Sequence, residues 1–156
     1  MKFGQKAVLF FSTGLYSGYI PFAPGTFGTL TALPLCYLLS FCSLGGATVI
    51  IVAVIALAVW LANSSEKLIG RKDPGCIVID EIAGMLVTLA GLPFTFFTAA
   101  TGFVLFRILD ILKPFPIRFL ERRVPGGAGI VIDDVAAGII GNITLRILLY
   151  SFDKIR

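Results

Sequence analysis

The chain has 156 residues, 57% of them hydrophobic and only 14% charged, with a mean hydropathy of +0.96. Soluble domains carry about 25% charged residues, so composition argues against a water-soluble globule and makes lipid the expected solvent. The net charge of +4 is scattered and argues against a nucleic-acid partner, and the absence of histidine removes triad and histidine-nucleophile hydrolysis.

The first apolar run, "AVLFFSTGLYSGYIPF" (7–22), is too short and too glycine-rich for a span. It predicts a surface or re-entrant segment. No A-x-A-like cleavage site follows the basic start, so the run is read as part of the mature protein. Four longer apolar segments follow at about 29–44, 47–63, 77–92 and 94–112, and a fifth at about 129–150. Each approaches the roughly 20 residues that a membrane span requires. The expectation is therefore a single all-α domain over residues 1–156: a compact polytopic membrane bundle of four to five spans, with a short N-terminal interfacial segment. Pro34 would kink the first span, as membrane helices allow.

Most basic residues fall in the connections 64–75 and 113–127, with Lys2 and Lys6 at the start. The positive-inside rule places these on the cytoplasmic side. Five spans then carry Lys154 and Arg156 to the opposite side, a mild conflict with the same rule. Cys36, Cys42 and Cys76 have no metal-site spacing and read as small apolar residues.

Two acidic pairs interrupt the apolar sequence. Ile77-Val-Ile-Asp-Glu-Ile-Ala, with Asp80 and Glu81, matches Ile130-Val-Ile-Asp-Asp-Val-Ala, with Asp133 and Asp134, at an offset of 53 residues. One charge at a helix centre costs about 2.5–3.5 kcal/mol on insertion scales. Four carboxylates together require compensating cations. A divalent ion held by oxygen ligands meets that need, and carboxylates with water suit magnesium. Salt bridges to Arg107, Lys113 or Arg146 are the structural alternative. Intramembrane acids also mark ion or proton pathways, which makes a small ion-coupled transporter the rival function.

Arg107, Asp110 and Lys113 follow one another at helical spacing in "FRILDILKPFPIR", where the two cations can grip phosphate and Asp110 can orient them or join the metal ligands. The stretch "APGTFGT" (23–29) offers Pro24, Gly25, Thr26 and Gly28 at a probable helix start, where free amides bind anions. It also reads as a plain turn and cap. All these polar features fall at one membrane face.

Four blocks, "PFAPGTFGTLTALP", "GCIVIDEIAGM", "FRILDILKPFPIR" and "GGAGIVIDDVAAGII", together resemble phosphatidylglycerophosphatase A. The resemblance runs from about residue 21 to 140. It implies a magnesium-dependent lipid phosphatase of the bacterial inner membrane that converts phosphatidylglycerophosphate to phosphatidylglycerol. It carries Asp80, Glu81, Asp133 and Asp134 over as the acidic site, and Asp110, part of the charged helix end, is counted with them as a candidate catalytic residue. Arg107 and Lys113 match the charged helix end, and Pro24, Gly25, Thr26 and Gly28 match the Pro-Gly-Thr loop. The remaining phosphatase chemistries fail on inspection: no cysteine precedes an arginine by six positions, and no D-x-D pair is present. Metal-assisted attack of water on a phosphomonoester is what remains. One carboxylate, Asp80 or Asp134, would serve as general base, and the active site would face the cytoplasm.

Overall fold

A computed structural model describes residues 3–155, apart from the side chains of residues 122, 152, 153 and 155. Lys2 and Arg156, on which the charge-asymmetry argument drew, lie outside the described residues. The described residues fold into seven helices: α1 (Phe3–Ser12), α2 (Pro24–Leu39), α3 (Leu44–Ile69), α4 (Ile79–Leu89), α5 (Phe96–Leu112), α6 (Ile117–Arg123) and α7 (Gly126–Ile155). A single 3-10 turn lies at Ser17–Tyr19, and no strand occurs among the described residues.

The helix ends follow local chemistry. Pro24 opens α2, where a missing amide proton costs nothing. Ser43 and Thr95 cap α3 and α5 by accepting from the amides of Gly46 and Thr98. Gly70, at φ +72°, ends α3 in the left-handed conformation that favours glycine. Asn63 of α3 accepts from Gly127 N at 2.7 Å and so caps the start of α7 across the bundle.

The all-helical expectation holds, whereas the expected spans differ in length. Helix α3 (26 residues) and residues 126–151 of α7 are long and apolar enough to cross a bilayer. Helices α2 and α5 have 16 and 17 residues, about 24–26 Å at 1.5 Å per residue, against a hydrocarbon core of about 30 Å. Helix α4 has only 11 residues, about 17 Å. The apolar run continues beyond it, but the backbone turns out of the helix at Ala90 and Gly91, so hydropathy overestimated the span. The Pro-Gly-Thr stretch, expected at a helix start, is the first turn of α2, whereas the basic connection 113–127, read as a loop, contains α6. Pro34 lies within a continuous α2.

Helix α4 is the centre of the bundle. It packs on α2, α3, α5 and α7, and eight of its eleven residues are buried. Its neighbour α7 runs beside it in the same direction. A Cβ on Gly138 would fall 2.4 Å from the Gly84 carbonyl oxygen, so the two backbones touch there. Beyond that contact, Asn142 Nδ2 donates to the carbonyls of Thr88 (2.9 Å) and Ala90 (3.0 Å). Arg146 donates through Nε to Asn142 Oδ1 and through Nη2 to Ala90 O, both at 2.8 Å. These side chains satisfy the carbonyls that the early end of α4 leaves open. Arg146 therefore serves the far end of α4 and is not the partner of the acidic pairs.

The entry to α4 is fixed by the N-terminal segment. Val78 N donates to Ser12 O at 2.9 Å, and Ser65 Oγ of α3 donates to Ser12 Oγ at 2.7 Å. Outward faces are apolar at helical spacing: Ile139, Ile143 and Ile147 on α7, and Val104, Ile108 and Ile111 on α5, are all exposed. Contiguous apolar faces of this kind suit lipid, not water.

Adding a methyl group at the α4–α7 contact should be costly. Gly138→Ala is expected to lower the melting temperature of the detergent-solubilised protein, at about 1–3 kcal/mol for overpacking. Gly45→Ala, which meets open space, should leave it unchanged. Thermal unfolding of the two variants checks this; equal behaviour would contradict the close contact.

Candidate active site

The two acidic pairs arrive at one place by different routes. Asp80 and Glu81 stand in the first turn of α4, and Asp133 and Asp134 lie two turns into α7. Oxygens of Asp80, Glu81 and Asp134 all come within 4.8 Å of one another. Asp80 Oδ1, Glu81 Oε2 and Asp134 Oδ2 are shut from solvent with no hydrogen-bond partner. Buried carboxylate oxygens normally have partners, and three ionised groups this close repel by about 3 kcal/mol or more per pair at an effective dielectric near 20. The donor set, hard carboxylate oxygens converging from two helices, is one that could hold a divalent cation.

Asp133 was expected among the same ligands, but the structure gives it another partner. Lys113 Nζ donates to Asp133 Oδ2 at 2.5 Å and also meets Glu121 at 3.0 Å. Burial alone would lower the Lys113 pKa. The hydrogen bond and charge of Asp133, with Glu121 behind them, outweigh it and hold the ammonium above the ordinary lysine range. Lys113 therefore stays charged throughout the neutral range.

Arg107 and Asp110 occupy the last turns of α5 on the same side. Arg107 Nη1 bonds Asp110 Oδ2 at 2.5 Å and lies 3.9 Å from Glu81 Oε1, while its Nε has no partner. The start of α2 closes the site from the opposite wall. A Cβ on Gly25 would fall 2.2 Å from Glu81 Oε1 and 3.0 Å from Arg107 Nη1, so only glycine lets helix, carboxylate and guanidinium meet.

These residues line one cleft of about 650 Å³, to which Pro24, Gly25, Asp80, Glu81, Arg107, Asp110, Lys113, Asp133 and Asp134 all contribute. Of the expected site residues, Thr26 and Gly28 do not line it. Thr26 amide donates to Ala23 O at 2.9 Å, and Gly28 is the packing surface for Val78, where a Cβ would come within 2.5 Å. The cleft adds Glu66, Lys72, Asp73 and Glu121, which sequence reasoning missed although they lie in the basic connections it singled out. In all, eight carboxylates face three basic groups. Three rim residues other than glycine, Ala23 (φ +48°), Asp73 (φ +44°) and Lys113 (φ +44°), are left-handed. Such conformations concentrate at functional sites.

Fold and site together define an all-helical protein with apolar outer faces and an acid-lined cleft at one end of its bundle. The family model described as Phosphatidylglycerophosphatase A matches residues 10–149. The chain is 44% identical over 130 residues to the Phosphatidylglycerophosphatase A of Escherichia coli (strain K12), covering 83% of this chain and 76% of that protein. It is 38% identical over 143 residues to a Bacteroides thetaiotaomicron protein named "Putative phosphatidylinositol-3-phosphatase", covering 86% and 89%. It is 36% identical over 143 residues to the Phosphatidylglycerophosphatase A of Haemophilus influenzae, covering 89% and 86%. No solved structure matches it. The chain belongs to the phosphatidylglycerophosphatase A family and is a phosphatase.

The fit at Gly25 supplies a test. Gly25→Ala should displace Glu81 or Arg107 and lower phosphatase turnover at least about tenfold, the scale of a small misplacement of catalytic groups. Gly75→Ala, on the same cleft but with open space around it, should retain activity. Phosphate release by the two purified variants decides the matter.

Proposed function

We propose that the protein hydrolyses the terminal phosphomonoester of phosphatidylglycerophosphate, giving phosphatidylglycerol and phosphate, at the cytoplasmic face of a bacterial inner membrane. The observation that carries this reading is the Asp80–Glu81–Asp134 cluster, with its buried unpartnered oxygens, in a chain of this family. Asp80, Glu81 and Asp134 would hold magnesium, which when bound supplies a Lewis acid for phosphoryl oxygen and an acidified water.

The protein's own groups account for the rest. Arg107, with Nε free and Nη1 near Glu81, neutralises charge growing on the phosphoryl oxygens. Asp110 fixes the orientation of that guanidinium. The first turn of α2 presents its free Gly25 amide and the positive end of its dipole to the same volume. A cleft-facing oxygen of Asp80 or Asp134 takes the proton of the attacking water as the new P–O bond forms. The glycerol oxygen leaves as the old P–O bond breaks and receives a proton in turn. Lys113 holds Asp133 and Glu121 together across α5, α6 and α7, which positions the wall of the site.

Membrane placement fits the same polarity. The starts of α2, α4 and α7 and the ends of α3 and α5 meet at the cleft, so five helices alternate between two ends of the bundle. The basic connections lie at the cleft end, which the positive-inside rule puts in the cytoplasm. We read α3 and α7 as full spans, with α2, α4 and α5 embedded beside them. The acyl chains then stay in lipid while the headgroup enters the cleft. All four acids lie at one end of the bundle in a chain of a phosphatase family, so nothing favours the ion-transport reading.

Phosphate release from phosphatidylglycerophosphate in mixed micelles is the direct assay. A chelator is expected to abolish it and magnesium to restore it. Asp134→Asn is expected to lower turnover by about 10²–10⁴-fold without loss of fold. Full activity in excess chelator would end the metal assignment, and full activity of Asp134→Asn would end the cluster as the reaction centre.

A further inference from the structure

Beside the acidic cleft lies a second one of opposite character. It encloses about 640 Å³ between the α3–α4 connection and α6, with Lys72, Arg118, Arg123 and Glu121 on its walls. Its carboxylate, Glu121, is engaged by Lys113 at 3.0 Å. Lys72, Arg118 and Arg123 form no ion pair among the described residues. Arg118 Nη2 donates to Leu112 O at 3.3 Å, and the Arg123 guanidinium stacks 4.5 Å above the Phe119 ring. These contacts hold both guanidinium groups in place without neutralising them.

The two clefts are continuous, since Lys72, Glu121 and Val124 line both. Arg118 in turn is shared with an apolar hollow walled by Leu112, Pro114, Phe115 and Phe119. Phe115 is 84% and Leu112 63% exposed. Acidic, basic and apolar surfaces thus adjoin at one end of the bundle. The substrate class of the proposed function has the same parts: a terminal phosphomonoester, a phosphodiester one polyol away, and acyl chains. A diester anion gains nothing in a cleft dominated by eight carboxylates, whereas three unpaired cations next to it match its charge.

We propose that Lys72, Arg118 and Arg123 form a second anion subsite, which holds the phosphodiester of a lipid whose terminal phosphomonoester occupies the acidic cleft. This rests on the lipid-phosphatase reading and deepens it. The enzyme selects headgroups that carry two phosphates, and the order of the three surfaces sets the direction in which the lipid lies. The lipids in the names of its relatives, a phosphatidylglycerophosphate and a phosphatidylinositol 3-phosphate, share that two-phosphate plan.

Two inhibitors separate the subsites. Phosphatidylglycerol retains only the diester, and inorganic phosphate resembles only the group released. With phosphatidylglycerophosphate as substrate in mixed micelles of constant surface composition, Lys72→Gln should raise the inhibition constant of phosphatidylglycerol about tenfold, as loss of one charge-assisted contact does. The constant for inorganic phosphate should stay within about twofold, and its persistence also shows that the variant is folded. The double variant Arg118→Gln/Arg123→Gln should act in the same direction. Equal changes in both constants, no change in either, or no inhibition of the wild type by phosphatidylglycerol would each overturn the subsite. Should the wild type release no phosphate from the lipid at all, the functional reading falls and the subsite falls with it.

Discussion

Three carboxylates held within 4.8 Å of one another inside apolar protein form the constraint on which the rest of this structure depends. Ionised together they repel one another, so the surrounding scaffold must be stiff enough to keep them from parting, and a cation bound among them would offset the repulsion. Stiffness is visible at each end of α4. At its start, the Ser12 carbonyl receives the Val78 amide, and Gly28 of α2 packs directly on Val78. At its end, Asn142 and Arg146 of α7 hold the carbonyls of residues 88 and 90. Between them, α4 contacts α7 backbone to backbone at Gly84 and Gly138. A helix of 11 residues has little stability of its own, so its geometry is set almost entirely by these clamps.

The internal repeat acquires a physical meaning from this packing. Glu81 lies near Asp134, Gly84 touches Gly138, and Thr88 O accepts from Asn142. The offsets between partners are 53 or 54 residues, within one of the 53-residue offset of the repeated sequence. Residues at matching places in the two repeats are therefore side by side on parallel helices, where their carboxylates must meet. The likeness ends at Lys113, whose ammonium takes one oxygen of Asp133, while Asp80, its counterpart in the first repeat, has no ion-pair partner among the described residues. Two similar pairs thus become three converging acids and one salt-bridged acid.

Much of the site was legible because charge in an apolar run has few explanations. Asp80, Glu81, Asp133 and Asp134 stood out on energetic grounds, and Arg107, Asp110 and Lys113 on helical spacing. Their convergence at one end followed from counting segments. Three things were hidden. Hydropathy does not register where backbone leaves a helix, so residues 90–92 were assigned to the α4 segment. The basic connection 113–127 read as a plain loop, although Pro116 stands immediately before the first turn of α6. The choice of Asp133 by Lys113 depends on the left-handed end of α5, a backbone turn that no side-chain pattern announces.

That left-handed end belongs to a wider arrangement. Ala23, Asp73 and Lys113 precede α2, precede α4 and follow α5, and all three line the cleft with positive φ. None is glycine, so each turn costs of order 1 kcal/mol or more that the surrounding packing must hold. All three turns sit beside or close to helix ends, so much of the cleft wall is helix terminus, completed by Lys72, Asp73 and Gly75 of the α3–α4 connection. In the proposed reaction a phosphate would meet the Gly25 amide, the Arg107 guanidinium and the acid cluster in positions settled before it arrives. In the proposed reaction this arrangement would supply electrostatic stabilisation without reorganisation, the largest contribution that a phosphoryl-transfer site can make.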